Sequence, residues 1–220
     1  MKKPLRITIL VDNPRSWFIP YADAIADKLR ALRHTVTRTS DAQQIPEGDV
    51  AFFLSCERLI KKPIRDRNTH NIVMHGSAVP QGKGWSPLTW SVLEGKDTIT
   101  VSQFEAVDSV DAGNVYRRQD FKLGGHELID EIRQKETEIM EDMAIQFVQS
   151  YPPGEGEPQT GEESFYRKRK PEDSELDPKK SLEENFNILR VVDNERYPAF
   201  FTHKGHTYIL KIFKKDDPGL

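Results

Sequence analysis

Residues 5–34 read LRITILVDNPRSWFIPYADAIADKLRALRH, and the fold class turns on them. The run LRITILV at residues 5–11 is apolar and β-rich, and Asp12-Asn13-Pro14 ends it as a turn. A short apolar run with polar punctuation at its carboxyl end suits the first, buried strand of an α/β sheet. It is too short for a signal peptide. Ser16 stands where it caps a helix over residues 17–33, with Pro20 in the tolerant first turn. Ile19, Ala22, Ile25, Ala26, Leu29 and Leu32 recur at spacings of three and four, one face of that helix. Working outward, residues 34–39 (HTVTRT), 49–54 (DVAFFL) and 70–75 (HNIVMH) read as three further strands. Strand, helix and strand in this order predict a doubly wound, mainly parallel α/β sheet.

The remainder extends this frame. Residues 85–93 form a helix that starts near Ser86-Pro87 and stops before Gly95. Residues 98–106 and 116–123 read as strands around a polar turn holding Asp111-Ala112-Gly113. A long amphipathic helix covers 127–151, although Leu128, Ile132, Ile139, Met143, Phe147 and Val148 follow the helical period only approximately. Residues 152–163 (PPGEGEPQTGEE) are a linker or extended arm. A helix over 181–192 and a hairpin around Lys204-Gly205, with strands at 199–203 and 206–213, complete the chain. The expected organisation is a catalytic domain at 1–151 and a small C-terminal helix-plus-hairpin appendage at 152–220. A helix and a hairpin bury little surface alone. They must pack on the first domain, on a second subunit of a homodimer, or on both.

Composition narrows the classes. The chain has 220 residues with 32 Lys+Arg against 35 Asp+Glu, a net charge of −3. Such a balance exerts no general pull on nucleic acid or acidic membranes, and no apolar run is long enough to span a bilayer. One cysteine excludes a disulfide framework and a cysteine-based zinc site. Cys56 reads as a buried thiol of a cytoplasmic protein, and no metal cluster is evident.

Four features carry chemistry. His75 ends a buried strand, where open α/β sheets bind ligands and where an imidazole can exchange a proton near neutrality. The loop GSAVPQGKGWSPLTW at 76–90 sets three glycines and a lysine before a helix, without the P-loop pattern. Asp111 precedes a small, flexible pair and could orient a histidine. Arg167-Lys168-Arg169-Lys170 could meet phosphate groups. Each has a plain structural alternative: a satisfied strand-end histidine, a connecting loop, a common turn, a solvated charge run.

Together these residues resemble the catalytic core of the 10-formyltetrahydrofolate-dependent formyltransferases, most closely the sugar N-formyltransferases. The resemblance rests on His75 with Gly76-Ser77-Ala78-Val79-Pro80, on Gly84, Pro87, Leu93-Glu94-Gly95 and on Asp111-Ala112-Gly113, which lies 36 residues after His75. Ile188-Leu189-Arg190 and Tyr197-Pro198-Ala199-Phe200 resemble the segment after the core in sugar-modifying members. The family sets an asparagine two residues before the histidine. Here Val73 stands there, and Asn71 is the nearest asparagine, on the same strand face about 13 Å away.

The resemblance implies formyl transfer from 10-formyltetrahydrofolate to a primary amine. His75, Asp111 and Asn71 are the candidate catalytic residues. Ser55, Glu57, Arg58 and Leu59 on one loop, and Val107, Asp108 and Val110 on another, are candidates for the folate. Arg15, Trp17, Ser77, Lys83, Trp85 and Arg169 are candidates for the acceptor. That acceptor is expected to be a UDP- or dTDP-linked amino sugar, a 4-amino-4,6-dideoxy sugar. Residues 151–220 carry 12 Lys+Arg and 14 Asp+Glu, a short, slightly acidic segment that argues against tRNA. Methionyl-tRNA or glycinamide ribonucleotide as acceptor, and a non-catalytic binding module, are the alternatives.

Overall fold

A computed structural model describes residues 3–215. The opening run forms strand β1 (Arg6–Leu10), and α1 (Ile19–Ala31) returns it to a parallel β2 (Thr35–Thr39). The helix starts two residues later than the sequence suggests. Ser16 makes a turn instead of a cap: its hydroxyl accepts from the Phe18 amide at 3.2 Å and its carbonyl from Ile19 at 3.3 Å. The helix also ends before Leu32, which is therefore exposed and leaves the apolar face.

Strands β3 (Gly48–Phe53) and β4 (Asn68–His75) continue the sheet in parallel, joined through the one-turn helix α2 (Lys62–Arg65). After β4 come a two-residue strand β5 (Lys83–Gly84), α3 (Pro87–Leu93), β6 (Thr98–Glu105) and β7 (Val115–Lys122). The six-stranded sheet runs β2-β1-β3-β4-β6-β7, and its last two strands pair antiparallel. The connection at 106–114 is too short for a crossover, which takes about a dozen residues, so β7 must fold straight back on β6.

Helix α4 (Ile129–Gln149) packs with α1 on the same sheet face. There Ile7, Ile9, Val50, Phe52 and Ile72 meet Ala22, Ile25, Leu29, Met140, Met143 and Phe147. Truncating a side chain such as Leu29 to alanine in this core costs about 2–5 kcal/mol. The opposite face carries Leu10, Ala51 and Phe53 against Ile45, Ile60 and Ile64, and Val73 and Phe104 against Val79 and Val115, covered by α2 and loops.

Beyond α4 the arm runs along the body. Val115 and Glu157 exchange backbone hydrogen bonds, and β8 (Phe165–Tyr166) pairs with β5. Ser181 caps α5 (Leu182–Val191), with Glu184 reciprocating in a capping box. Strands β9 (Ala199–His203) and β10 (His206–Leu210) form the expected hairpin around Lys204 and Gly205, both at positive φ. The tail packs on α3 and α4: Val191 joins Leu88, Val92 and Ile132, and the buried Arg190 donates to the buried Glu127 through Nη2 and to its carbonyl through Nε, each at 3.0 Å.

Candidate active site

A cavity of about 490 Å³ opens beyond the carboxyl ends of β1, β3 and β4. Here the connection leaving β1 runs to β2 on one side and that leaving β3 runs to β4 on the other, the general ligand site of open α/β sheets. His75, the last residue of β4, lines it and is 9% exposed. Its Nε2 lies 2.9 Å from the Gly82 carbonyl oxygen. A carbonyl only accepts, so Nε2 carries the proton and Nδ1 holds the free lone pair. Asp111 Oδ2 sits 3.7 Å from the same Nε2 and accepts the Gly84 amide at 2.9 Å. Asp111 adopts φ 49°, a left-handed conformation that aspartate tolerates, at the end of the loop that follows β6. Gly113 holds that loop down, because a Cβ there would collide with the Glu105 carbonyl. Gln159 of the arm clamps it further, donating to the carbonyls of Asp111 and Gly113 at 2.8 and 2.9 Å.

Most of the expected residues meet here. Ser55, Glu57, Arg58, Leu59, Val107, Val110, Trp17, Trp85 and Arg169 all line the cavity. Cys56 lines it too, but burial and then the Asp12 carboxylate push its thiol up to about 12, so it is no nucleophile at neutral pH. Five expected residues do not line the cavity. Asn71 turns its side-chain amide to the carbonyls of Arg65 and Asn68 at 3.0 and 3.3 Å, pinning α2 to β4, and does not reach the cavity. Asp108 pairs with Arg65. Arg15 is exposed and offers its carbonyl to Arg196. The Ser77 hydroxyl is buried without a partner, while its carbonyl accepts from Ser102 at 2.6 Å. Lys83 is 2% exposed and bonds Glu163 at 2.6 Å, so the arm has already taken its charge.

The basic run divides. Arg167 makes a two-pronged contact with Asp173, and its guanidinium lies 4.8 Å over Trp90. Lys168 lies 4.2 Å over the Trp85 ring at the cavity wall. Arg169 donates to the Val191 and Asp173 carbonyls, and burial lowers its pKa.

No protein-family model matches the chain. Among solved structures, a methionyl-tRNA formyltransferase from Clostridium thermocellum matches with a TM-score of 0.79 at 22% identity, over 97% of this chain and 95% of that one. HypX from Aquifex aeolicus in complex with tetrahydrofolic acid matches with 0.79 at 18% identity, over 96% of this chain and 38% of that one. A 4-N formyltransferase from Francisella tularensis matches with 0.66 at 14% identity, over 94% and 97%. The chain has the formyltransferase fold.

Within that fold, several cavity residues escaped the sequence reading. Arg133 on α4 lies 4.7 Å over the Trp17 ring, and Asp193 and Arg196 reach the cavity from the segment after α5, beside Tyr197 of the family-like stretch. Glu136 is the most telling. The buried stripe of α4 runs Ile132, Glu136, Met140, Met143, Phe147. The apolar period looks imperfect because a carboxyl fills one of its positions. A charged residue on an otherwise apolar helix face was the signal available in the sequence.

Proposed function

We propose that this chain transfers the formyl group of 10-formyltetrahydrofolate to a primary amine. One observation carries the reading: His75 and Asp111, far apart in sequence, face each other at 3.7 Å in the cavity of a chain with the formyltransferase fold. The cavity volume falls in the usual range for small-molecule sites, about 300–1,000 Å³. Loops 55–60 and 107–110 offer apolar side chains and backbone groups on which the flat end of a folate can rest. The donor supplies the activated formyl carbon; the chain's residues hold and move protons. With Nε2 committed to Gly82, His75 accepts a proton from the attacking amine at Nδ1. Asp111 stabilises the imidazolium so formed and, through the Gly84 amide, fixes the loop over it. Charged His75 then supplies positive charge for the oxygen on which charge develops, in a chain whose Asn71 is turned away.

For the acceptor we favour a nucleotide-linked amino sugar carried by UDP or dTDP. Two cation–aromatic pairs, Lys168 with Trp85 and Arg133 with Trp17, border the cavity. They suit a ligand that combines rings with phosphates. Arg58 and Lys168 join Arg169 at the cavity as candidates for the diphosphate, while Lys83 is held by Glu163. Methionyl-tRNA is the second reading, and one observation favours it. The Clostridium thermocellum structure is matched over 95% of its own length, so a short segment after the core does not separate the two acceptors.

The test is a formylation assay with 10-formyltetrahydrofolate against UDP- and dTDP-linked 4-amino-4,6-dideoxyglucose, glycinamide ribonucleotide and methionyl-tRNA. Formylation of an amino-sugar nucleotide, abolished by His75→Ala, is expected. Turnover of methionyl-tRNA alone would move the acceptor to the second reading. Activity that survives His75→Ala would refute the mechanism.

A further inference from the structure

Glu136 is a buried carboxyl that the fold does not use. It is 4% exposed, and no hydrogen bond reaches it among the described residues; the one charge acting on it is Arg133, one turn earlier. It nevertheless lines the cavity that holds His75 and Asp111. Its Oε1 lies against Gly76, the residue after His75, so closely that a Cβ on Gly76 would collide with it. The surrounding wall from α4, Ile129 and Met140, is apolar. A carboxyl in such a setting is a standing cost unless something arrives to bond it. Burial pushes its pKa up to about 7, with Arg133 pulling the other way. A carboxylate there is compensated best by a charged, donor-rich group, and an ammonium presents three N–H donors and a positive charge.

We propose that Glu136 binds the acceptor's amino group and takes its first proton. The assignment rests on the formyl-transfer reading and deepens it by naming what recognises the amine. In the proposed sequence the bound ammonium passes one proton to the Glu136 carboxylate. The freed nitrogen lone pair forms a C–N bond to the formyl carbon. That nitrogen's second proton goes to His75 Nδ1 and from there to the folate nitrogen as its bond to the formyl carbon breaks. Glu136 then returns its proton to solvent. One ammonium and one formyl donor become one formamide, one tetrahydrofolate and one released proton. The recognition is selective, because an acceptor with a hydroxyl in place of the amine brings no charge to the carboxyl.

Glu136→Gln keeps the shape of the side chain and removes its charge; Glu136→Asp keeps the charge and shortens the reach by one methylene. Each is compared with wild type using UDP- and dTDP-linked 4-amino-4,6-dideoxyglucose, methionyl-tRNA and glycinamide ribonucleotide as amines. Tetrahydrofolate binding is followed by calorimetry. For Glu136→Gln the expected result is at least a hundredfold loss in kcat/KM for the amine that wild type uses, with tetrahydrofolate affinity within twofold. Binding of the acceptor should no longer favour the amine over its 4-hydroxy analogue. Glu136→Asp should fall between. Amine kinetics within twofold of wild type in Glu136→Gln would overturn the assignment while leaving formyl transfer standing. A wild-type chain that binds no tetrahydrofolate and formylates none of these amines would overturn the underlying reading, and this assignment with it.

Discussion

Asp111→Asn separates the charge of Asp111 from its position. Asparagine keeps a carbonyl oxygen to accept the Gly84 amide, now held at 2.9 Å, and tolerates the φ of 49° as aspartate does. The loop clamped by Gln159 therefore stays where it is. What disappears is a negative charge 3.7 Å from His75 Nε2. Two unit charges at that separation attract by roughly 4 kcal/mol at an effective dielectric of about 20. If His75 carries about half a charge in the transition state, about 2 kcal/mol of that is realised, roughly a thirtyfold loss in kcat. The assay is steady-state formylation of the preferred amine, with kcat and KM resolved and the melting temperature measured alongside. A fall in kcat at nearly constant KM marks an interaction made only in the transition state. Asp111→Asn retaining more than a third of wild-type kcat, with unchanged melting, would refute the reasoning. A raised KM at full kcat would turn Asp111 into a ground-state binding group.

Other expectations concern the frame around the site. Arg190→Met leaves buried Glu127 with Lys135 at 2.6 Å and the Gly124 and Gly125 amides, so the cost lies at the low end for a broken buried pair, about 3 kcal/mol. The melting temperature should fall by about 6–12 °C, and a shift under 2 °C would show that α5 docks by apolar contact alone. Burial raises the Glu127 pKa, but the Gly124 amide and Lys135 outweigh it and hold the carboxyl at about 2. Its folded value is depressed, so its stabilisation is full above about pH 4.5 and is lost as pH falls toward 2. Glu127→Gln should flatten that acid limb of the melting curve; an unchanged limb would assign it to other carboxylates. With a thiol pushed up to about 12, Cys56 should resist iodoacetamide at pH 8 in the folded chain and react on unfolding. Rapid labelling of the native protein would contradict that.

The strands of the six-stranded sheet, the α1 face and the Lys204-Gly205 turn were legible in the sequence because their causes are local. Alternation, a 3.6-residue period and a residue free to take positive φ act within a few positions of each other. The site was only partly legible. His75 and Asp111 could be named, but their meeting depends on β6 pairing antiparallel to β4 and on the loop after β6 folding back over the Gly82-Lys83-Gly84 turn. Asn71 and Lys83 show the converse. Both had suitable chemistry, yet one is taken by carbonyls of α2 and β4 and the other by Glu163, eighty residues away. Glu136 disturbed the helical period, and only the packing of α4 beside β4 turned that irregularity into a carboxyl facing the cavity. Residue types and spacing determined which elements form and which chemistry was available. Tertiary structure decided which of those groups remain free to use it, because a polar side chain in a folded interior bonds the nearest partner that long-range pairing brings to it.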